Sequence, residues 1–185
     1  TLTLRGGSAG QSQVVWNGIP LNAPTLGLLD LSTLPTSNAG RVQFINRGQG
    51  AAVGSGAVTG SLHLLHRPQD RGWELQNRFG QFGTWLTSGQ IHLGETLQSS
   101  TSWQWRQSRN NFPYTPGGST ETQLLPHAAA QALDLQQHFY GGKGSFFWRS
   151  HAWFQTDQRN IPPTRFQQRS VAQQSSQNLR LNTFA

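Results

Sequence analysis

Leu97-Gln98-Ser99-Ser100-Thr101-Ser102-Trp103-Gln104-Trp105-Arg106-Gln107 alternates residue by residue. Successive side chains of a strand point to opposite faces, so Leu97, Ser99, Thr101, Trp103 and Trp105 share one face, and Gln98, Ser100, Ser102, Gln104 and Arg106 share the other. Phe146 to Thr156 repeats the pattern, with Phe146, Trp148, Ala152 and Phe154 set against Phe147, Arg149, His151 and Gln155. Trp85 to Leu93 does so again, with Trp85, Ile91 and Leu93 against Ser88, Gln90 and His92. The buried face of a soluble β-sandwich is richer in Val, Ile and Leu. Here aromatic rings gather near strand ends on one face, while the other is long, polar and uncharged or cationic. That division fits a membrane β-barrel, with lipid outside and water inside.

Working outward, candidate strands fall at 72–80, 84–94, 97–108, 128–140, 145–157 and 171–185, each close to the roughly 9–11 residues that a tilted strand needs to cross a bilayer. Tight turns are expected at Gly94-Glu95-Thr96 and at Gly141-Gly142-Lys143-Gly144, and longer loops at 109–127 and 158–170. Short turns alternating with long outer loops are the habit of outer-membrane barrels. The connection Gln81 to Gly83 is a short exception. Upstream of the polar segment Arg67-Pro68-Gln69-Asp70-Arg71-Gly72 the text changes. Short continuous apolar runs, Val14-Val15-Trp16 and Val42-Gln43-Phe44-Ile45, are separated by glycine-rich turns, as in a small buried sheet. The expected organisation is a compact unit over 1–67 followed by barrel strands over 68–185.

Composition agrees. In 185 residues only 11% are charged and 34% hydrophobic, while 21 Gly, 7 Trp and 10 Phe stand among many Ser, Thr, Gln and Asn. This excludes a disordered polyampholyte and, with no run of about 18 apolar residues, a helical membrane span. The net charge is +7, but Arg5, Arg41, Arg47, Arg78, Arg106, Arg149 and Arg180 are scattered. Nucleic-acid binding needs clustered phosphate contacts and is not expected. The absence of Cys removes disulfide and thiolate chemistry, and with no Met and Thr at position 1 an upstream segment is expected. The glycines from Gly48 to Gly60 lack the Lys-Ser/Thr of a phosphate loop, since Lys143 is the only Lys. Of the 6 His, His63 and His66 are three apart on one strand and face opposite ways, and no metal site is expected. No cofactor and no catalytic set is expected either, because a Ser-His-Asp selection without an elbow around the Ser carries no chemistry.

The first 65 residues carry a resemblance. Leu4-Arg5-Gly6-Gly7-Ser8, Val14-Val15-Trp16-Asn17-Gly18-Ile19-Pro20-Leu21-Asn22 and Asp30-Leu31-Ser32-Thr33-Leu34-Pro35 come in that order. They are followed by Arg41-Val42-Gln43-Phe44-Ile45-Asn46-Arg47-Gly48 and by Gly54 to Leu64. Together these segments resemble the plug domain of TonB-dependent receptors, and Asn17 to Gly27 is similar to the cobalamin-receptor-like (BtuB-like) subgroup. Asn110-Asn111-Phe112-Pro113-Tyr114 and Arg159-Asn160-Ile161-Pro162-Pro163-Thr164 also resemble that subgroup's outer loops. The resemblance implies a mainly β protein, the C-terminal part of a plug followed by about six strands of a barrel that normally has about 22. It implies energy-coupled import of cobalamin or another corrinoid, or of a ferric siderophore, through the outer membrane of a Gram-negative bacterium. The partners it implies are the TonB-ExbB-ExbD complex, whose coupling segment would precede Thr1, and outer-membrane lipid.

By the same resemblance the loop after Asn17 rises to the plug apex. Asn17, Asn22, Pro24, Thr25 and Leu26 are then candidate ligand contacts, with Phe112 and Tyr114 of the first long loop behind them. Arg5 and Arg41 are candidate plug-to-barrel contacts, since a cation in a wet lumen needs acceptors. Many relatives have Asp where Asn17 stands and Glu where Gln43 stands, so ion pairs through those positions are lost. The rival readings are a non-transporting outer-membrane barrel, adhesin or assembly component, and a soluble sugar-binding β-sandwich. With only about six strands, residues 1–185 alone are expected to aggregate through unpaired edges.

Overall fold

The computed structural model describes residues 8–22, 29, 31, 34–35, 40–46, 56–66, 71–116, 120–163 and 170–184. The chain is mainly β, as expected, in two principal sheets and one small hairpin. The first sheet takes β1 (Ser12–Trp16), β2 (Ile19–Pro20), β3 (Arg41–Ile45) and β4 (Gly60–Leu65) in the order β2-β1-β4-β3. In it β1 runs parallel to β4, and β2 and β3 are antiparallel to their neighbours. β1 is buried along its whole length, which explains its continuous apolar run.

The second sheet is antiparallel throughout. β5 (Gly72–Gly80), β6 (Thr84–Leu93), β7 (Leu97–Ser108), β10 (Ala130–Lys143), β11 (Phe146–Asn160) and β12 (Gln173–Phe184) follow in chain order from one edge to the other. The strands anticipated at 72–80 and 97–108 have the expected bounds. β10 runs past 140 because Gly141, Gly142 and Lys143 continue the ladder against Trp148, Phe147 and Phe146, and β11 runs past 157 because Gln158, Arg159 and Asn160 pair with Ser175, Gln174 and Gln173. The turn there is only Gly144 and Ser145, with Gly144 at φ +62°. At the other tight turn Gly94 sits at φ +92°, and a β-carbon on it would fall 1.8 Å from the Leu97 carbonyl oxygen. Only Gly fits that position. The first long loop holds an unforeseen hairpin of β8 (Pro113–Tyr114) and β9 (Gln123–Leu124).

The two faces of the large sheet separate as the alternation requires. Trp73, Leu75, Phe79, Trp85, Ile91, Leu93, Leu135, Phe139, Leu179 and Leu181 stand exposed on the outer face, Trp73 and Phe79 each at 77%. Ser88, His92, Ser100, Ser102, Gln104, Asp134, Gln136, His138, His151 and Gln155 are buried on the inner face. They are buried because the small sheet sits on them. Val14, Trp16, Leu21, Leu34 and Leu64 form one core with Trp153, the single large apolar residue that the inner face lends to it. Ring centroids of Trp16 and Trp153 lie 5.0 Å apart. Next to this seam the Asn182 side chain donates to the Asn17 carbonyl at 3.0 Å, and a β-carbon on Gly18 would come within 2.9 Å of the Phe184 ring. No helix of the described residues is long and apolar enough to cross a membrane.

Candidate ligand site

A cavity of about 890 Å3 lies between the β1–β2 region and the large sheet, at the end that carries the long loops. The small sheet contributes Pro20, Leu21 and Asn22, with Leu29 beside them. The wall contributes the last residues of β7 and β11 and the first of β10 and β12, among them Arg106, Gln155, Asp157, Arg159, Gln174 and Arg180. These are inward positions of an alternating ladder, so their polarity follows from strand parity. Three guanidiniums share this lining with the carboxylate of Asp157, which gives the cavity an excess of positive charge and of N–H donors.

The polar groups are held in place. Arg159 donates through both Nε and Nη2 to Gln174 Oε1, at 3.0 and 2.7 Å. Arg180 lies over the Trp153 ring, 4.9 Å from its centroid, and reaches Gln155 Oε1 at 3.5 Å. Ser176 Oγ donates to Asp157 Oδ1. At the floor, Trp153 Nε1 donates to the buried Asp134 at 3.3 Å. Pre-set donors of this kind recognise a ligand rich in acceptors without ordering flexible side chains on arrival.

Of the residues singled out from sequence, Asn22 lines the cavity, but both ends of its amide serve the framework as well. Its Oδ1 accepts from Val14 N at 2.8 Å and its Nδ2 donates to Ser12 O at 2.9 Å. Asn17 is buried below the cavity, and its Oδ1 accepts from His66 N at 2.8 Å, which is a framework role. Pro24, Thr25, Leu26 and Arg5 lie outside the described residues. Phe112 and Tyr114 belong to the β8–β9 hairpin region and are not among the cavity's lining residues. Phe112 instead meets Phe82 edge-on, with centroids 6.2 Å apart. Arg41 is exposed at the start of the edge strand β3. The described contacts between the two sheets come from Trp16, Asn17, Gly18, Leu64 and His66, not from Arg41.

Sequence reasoning placed Arg106 and Gln155 on the wet face but did not single them out, and it read Arg159 as loop. Extending the parity of β11 by two residues points Arg159 inward, and parity within the strand expected at 171–185 does the same for Gln174 and Arg180; that was the available signal. Four of the six histidines come together on the inner face, yet no group of three or more His, Asp or Glu among the described residues is arranged to hold a metal ion.

The family comparison falls on the small sheet. Residues 1–61 match the family model of the TonB-dependent receptor plug domain. The match covers the β1–β2–β3 part of the small sheet and supports the TonB-dependent receptor family, whose members belong to the Gram-negative outer membrane. The plug-matching segment is therefore the part that lies against the polar face of the large sheet, as a stopper lies against a lumen wall. A plug domain points to receptor-type transport rather than to catalysis.

Proposed function

We propose that residues 1–67 are the C-terminal part of a plug and residues 68–185 the first wall strands of a barrel, in a receptor that imports a large, scarce ligand across the outer membrane. The observation that carries this reading is the seating of a plug-matching sheet on the polar face of strands whose other face is bare and apolar. A soluble sandwich would turn polar side chains outward on its open face, and an exposed apolar belt of this extent in water would aggregate. With no ion gradient across the outer membrane, the work comes mechanically from the inner membrane, through the TonB-ExbB-ExbD complex pulling on the plug. Ligand binding biases the plug between two states, so the cavity and the coupling segment are linked sites.

The ligand seats in the cavity, against Arg106, Arg159, Arg180 and the surrounding amides. By the plug resemblance Asn22, Pro24, Thr25 and Leu26 are the proposed contacts from the plug side, with Phe112 and Tyr114 of the first outer loop as secondary candidates. Arg5 stays a proposed plug-to-wall contact on the resemblance alone, whereas Arg41, exposed on the edge strand β3, makes none of the described contacts with the wall. A corrinoid, with its ring of carboxamides and its phosphodiester, suits a lining of N–H donors and modest positive charge. A ferric siderophore is the second choice on the same chemistry. Full-length receptor in outer-membrane vesicles is expected to bind labelled cyanocobalamin with nanomolar-range affinity. Arg180→Glu is expected to weaken that binding by about tenfold or more, since it replaces a charge-assisted donor with a like-charged repulsion. No binding of cyanocobalamin, with growth on a ferric chelate that depends on the receptor, would turn the assignment to a siderophore. Neither binding nor uptake would end the import reading.

A further inference from the structure

One register row of the wall is built unlike the rest. His92 on β6, Ser100 on β7, His138 on β10, His151 on β11 and Asn182 on β12 stand opposite one another in consecutive ladders. All face the plug. Ser100 is the smallest side chain of the row, and it separates two imidazoles. The ring that occupies this gap belongs to the plug sheet: His66, the residue after β4, stacks on His138 with centroids 3.8 Å apart and planes 6° from parallel. Its ring also lies 6.2 Å from His92 and 5.9 Å from Tyr140, stacked on both. Asn17 ties the arrangement together. Its Oδ1 accepts from the His66 backbone and its carbonyl accepts from Asn182, at the far end of the same row. Trp16 closes over the row, 5.6 Å from His138 and 6.1 Å from His151.

The chemistry of this row is proton-sensitive. His138 Nδ1 and His151 Nδ1 are 2.7 Å apart, so one must carry a hydrogen and the other a lone pair. A second proton there turns both into donors facing each other. His138 is fully buried and His92 nearly so, and neither His138 Nε2 nor either nitrogen of His92 has a hydrogen-bond partner. A cation on these rings would stand in a dry stack of other imidazoles. The neighbouring charges give it little relief. Glu74 on β5 is held by Gln90 of β6, Asp134 on β10 by Trp153, and Asp157 on β11 by Ser176 of β12. Arg106 on β7 faces the cavity, Arg149 on β11 lies over Phe184, and Arg180 on β12 lies over Trp153. His63 of β4 bonds Ser61 and, three residues from His66 on the strand, faces the other way.

We propose that this row is a proton-sensitive latch, in which the neutral His66 ring pins the exit of the plug sheet into a histidine-lined slot of the wall, and protonation of the cluster expels it. The latch holds where the imidazoles are neutral and weakens as pH falls through the imidazole range. It rests on the plug-in-wall reading but not on the identity of the ligand. An acidified lumen would lower the work needed to loosen the plug, whichever cargo sits above it.

The test is hydrogen exchange of residues 60–66 in the full-length receptor, corrected for the intrinsic pH dependence of exchange. Between about pH 7.5 and about pH 5, wild-type protection is expected to fall tenfold or more, because imidazoles freed on opening take up protons that the buried rings do not. His66→Phe keeps a stacking ring but removes one titrating imidazole of the cluster, and is expected to lose clearly less protection than the wild type, the wall histidines still titrating. Ser100→Leu leaves every histidine in place but fills the slot, and is expected to show low protection at both. An unchanged wild type, an equal fall in His66→Phe, or wild-type behaviour in Ser100→Leu each overturns the latch. Cyanocobalamin binding in the same preparations reads the import proposal separately, so loss of one does not mimic loss of the other.

Discussion

Asn17 shows how much one side chain carries in this protein. At φ +45° it turns the chain from β1 towards β2, a conformation that Asn tolerates better than most residues. Its Oδ1 and its carbonyl then reach two different parts of the seam. Asn17→Ala keeps the backbone carbonyl but removes a buried acceptor and the side chain suited to this φ, and is expected to cost about 2–3 kcal/mol in denaturant unfolding of the full-length receptor. Asn17→Asp retains the acceptor and is expected to lose less. Gly89 is a second point of this kind. The Trp103 ring lies across it, and a β-carbon would come within 2.2 Å of Cζ2. Gly89→Val is expected to displace the ring and to destabilise the folded receptor by about 1–3 kcal/mol, read from the same unfolding curves. That Asn17 is polar and sits in a turn was legible in the sequence. That its partner is His66, 49 positions later, was not, because side-chain partners across a fold leave no local pattern.

At the scale of the strand, period-two alternation was enough to place the six strands of the large sheet. It works because the wall's two faces meet solvents as different as lipid and a wet lumen. The consequence can be measured at adjacent positions. Leu135 points outward and Gln136 inward on β10. Leu135→Arg is expected to cost about 2–4 kcal/mol in equilibrium folding into lipid vesicles, as for a cation near mid-bilayer. Gln136→Arg, which faces the plug, is expected to leave vesicle insertion intact and to disturb plug seating. Equal penalties at the two positions would contradict the assignment of faces. Strand ends were less legible. Glycines at 141 and 142 read as a turn, yet the ladder continues through them, with Trp148 lying against Gly141. The ring supplies the cover that a glycine's own side chain cannot. Trp153 also departed from the pattern, since its large apolar side chain on a wet face makes sense only once the plug is seen against it.

In the whole molecule the two sheets meet through one compact apolar seam, Trp16 and Leu64 against Trp153, flanked by polar fastenings. Truncation there should loosen the plug without unfolding the wall. Trp153→Ala is expected to cost about 3–5 kcal/mol of plug docking, seen as faster exchange of residues 12–16 and 60–65 while β10 and β11 stay protected. Sequence order revealed that a plug precedes a wall. It did not reveal the cavity's donors, because that cavity exists only where plug apex and strand ends converge.

The length of β11 bears on where a cargo waits. Its 15 residues, at about 3.3 Å each and tilted by about 45°, climb roughly 35 Å, against an apolar belt of about 25 Å. The surplus shows on the outward side past Phe154, where Thr156, Gln158 and Asn160 replace aromatics and Gln131 donates to Gln158, which donates in turn to Gln173. This girdle of carboxamides marks a parapet standing clear of the hydrocarbon, and Arg106 and Arg159 of the docking basin lie within one register row of it. A bulky, water-loving passenger can thus berth at the headgroup level, still within reach of bulk water, before anything has to be drawn down between the leaflets.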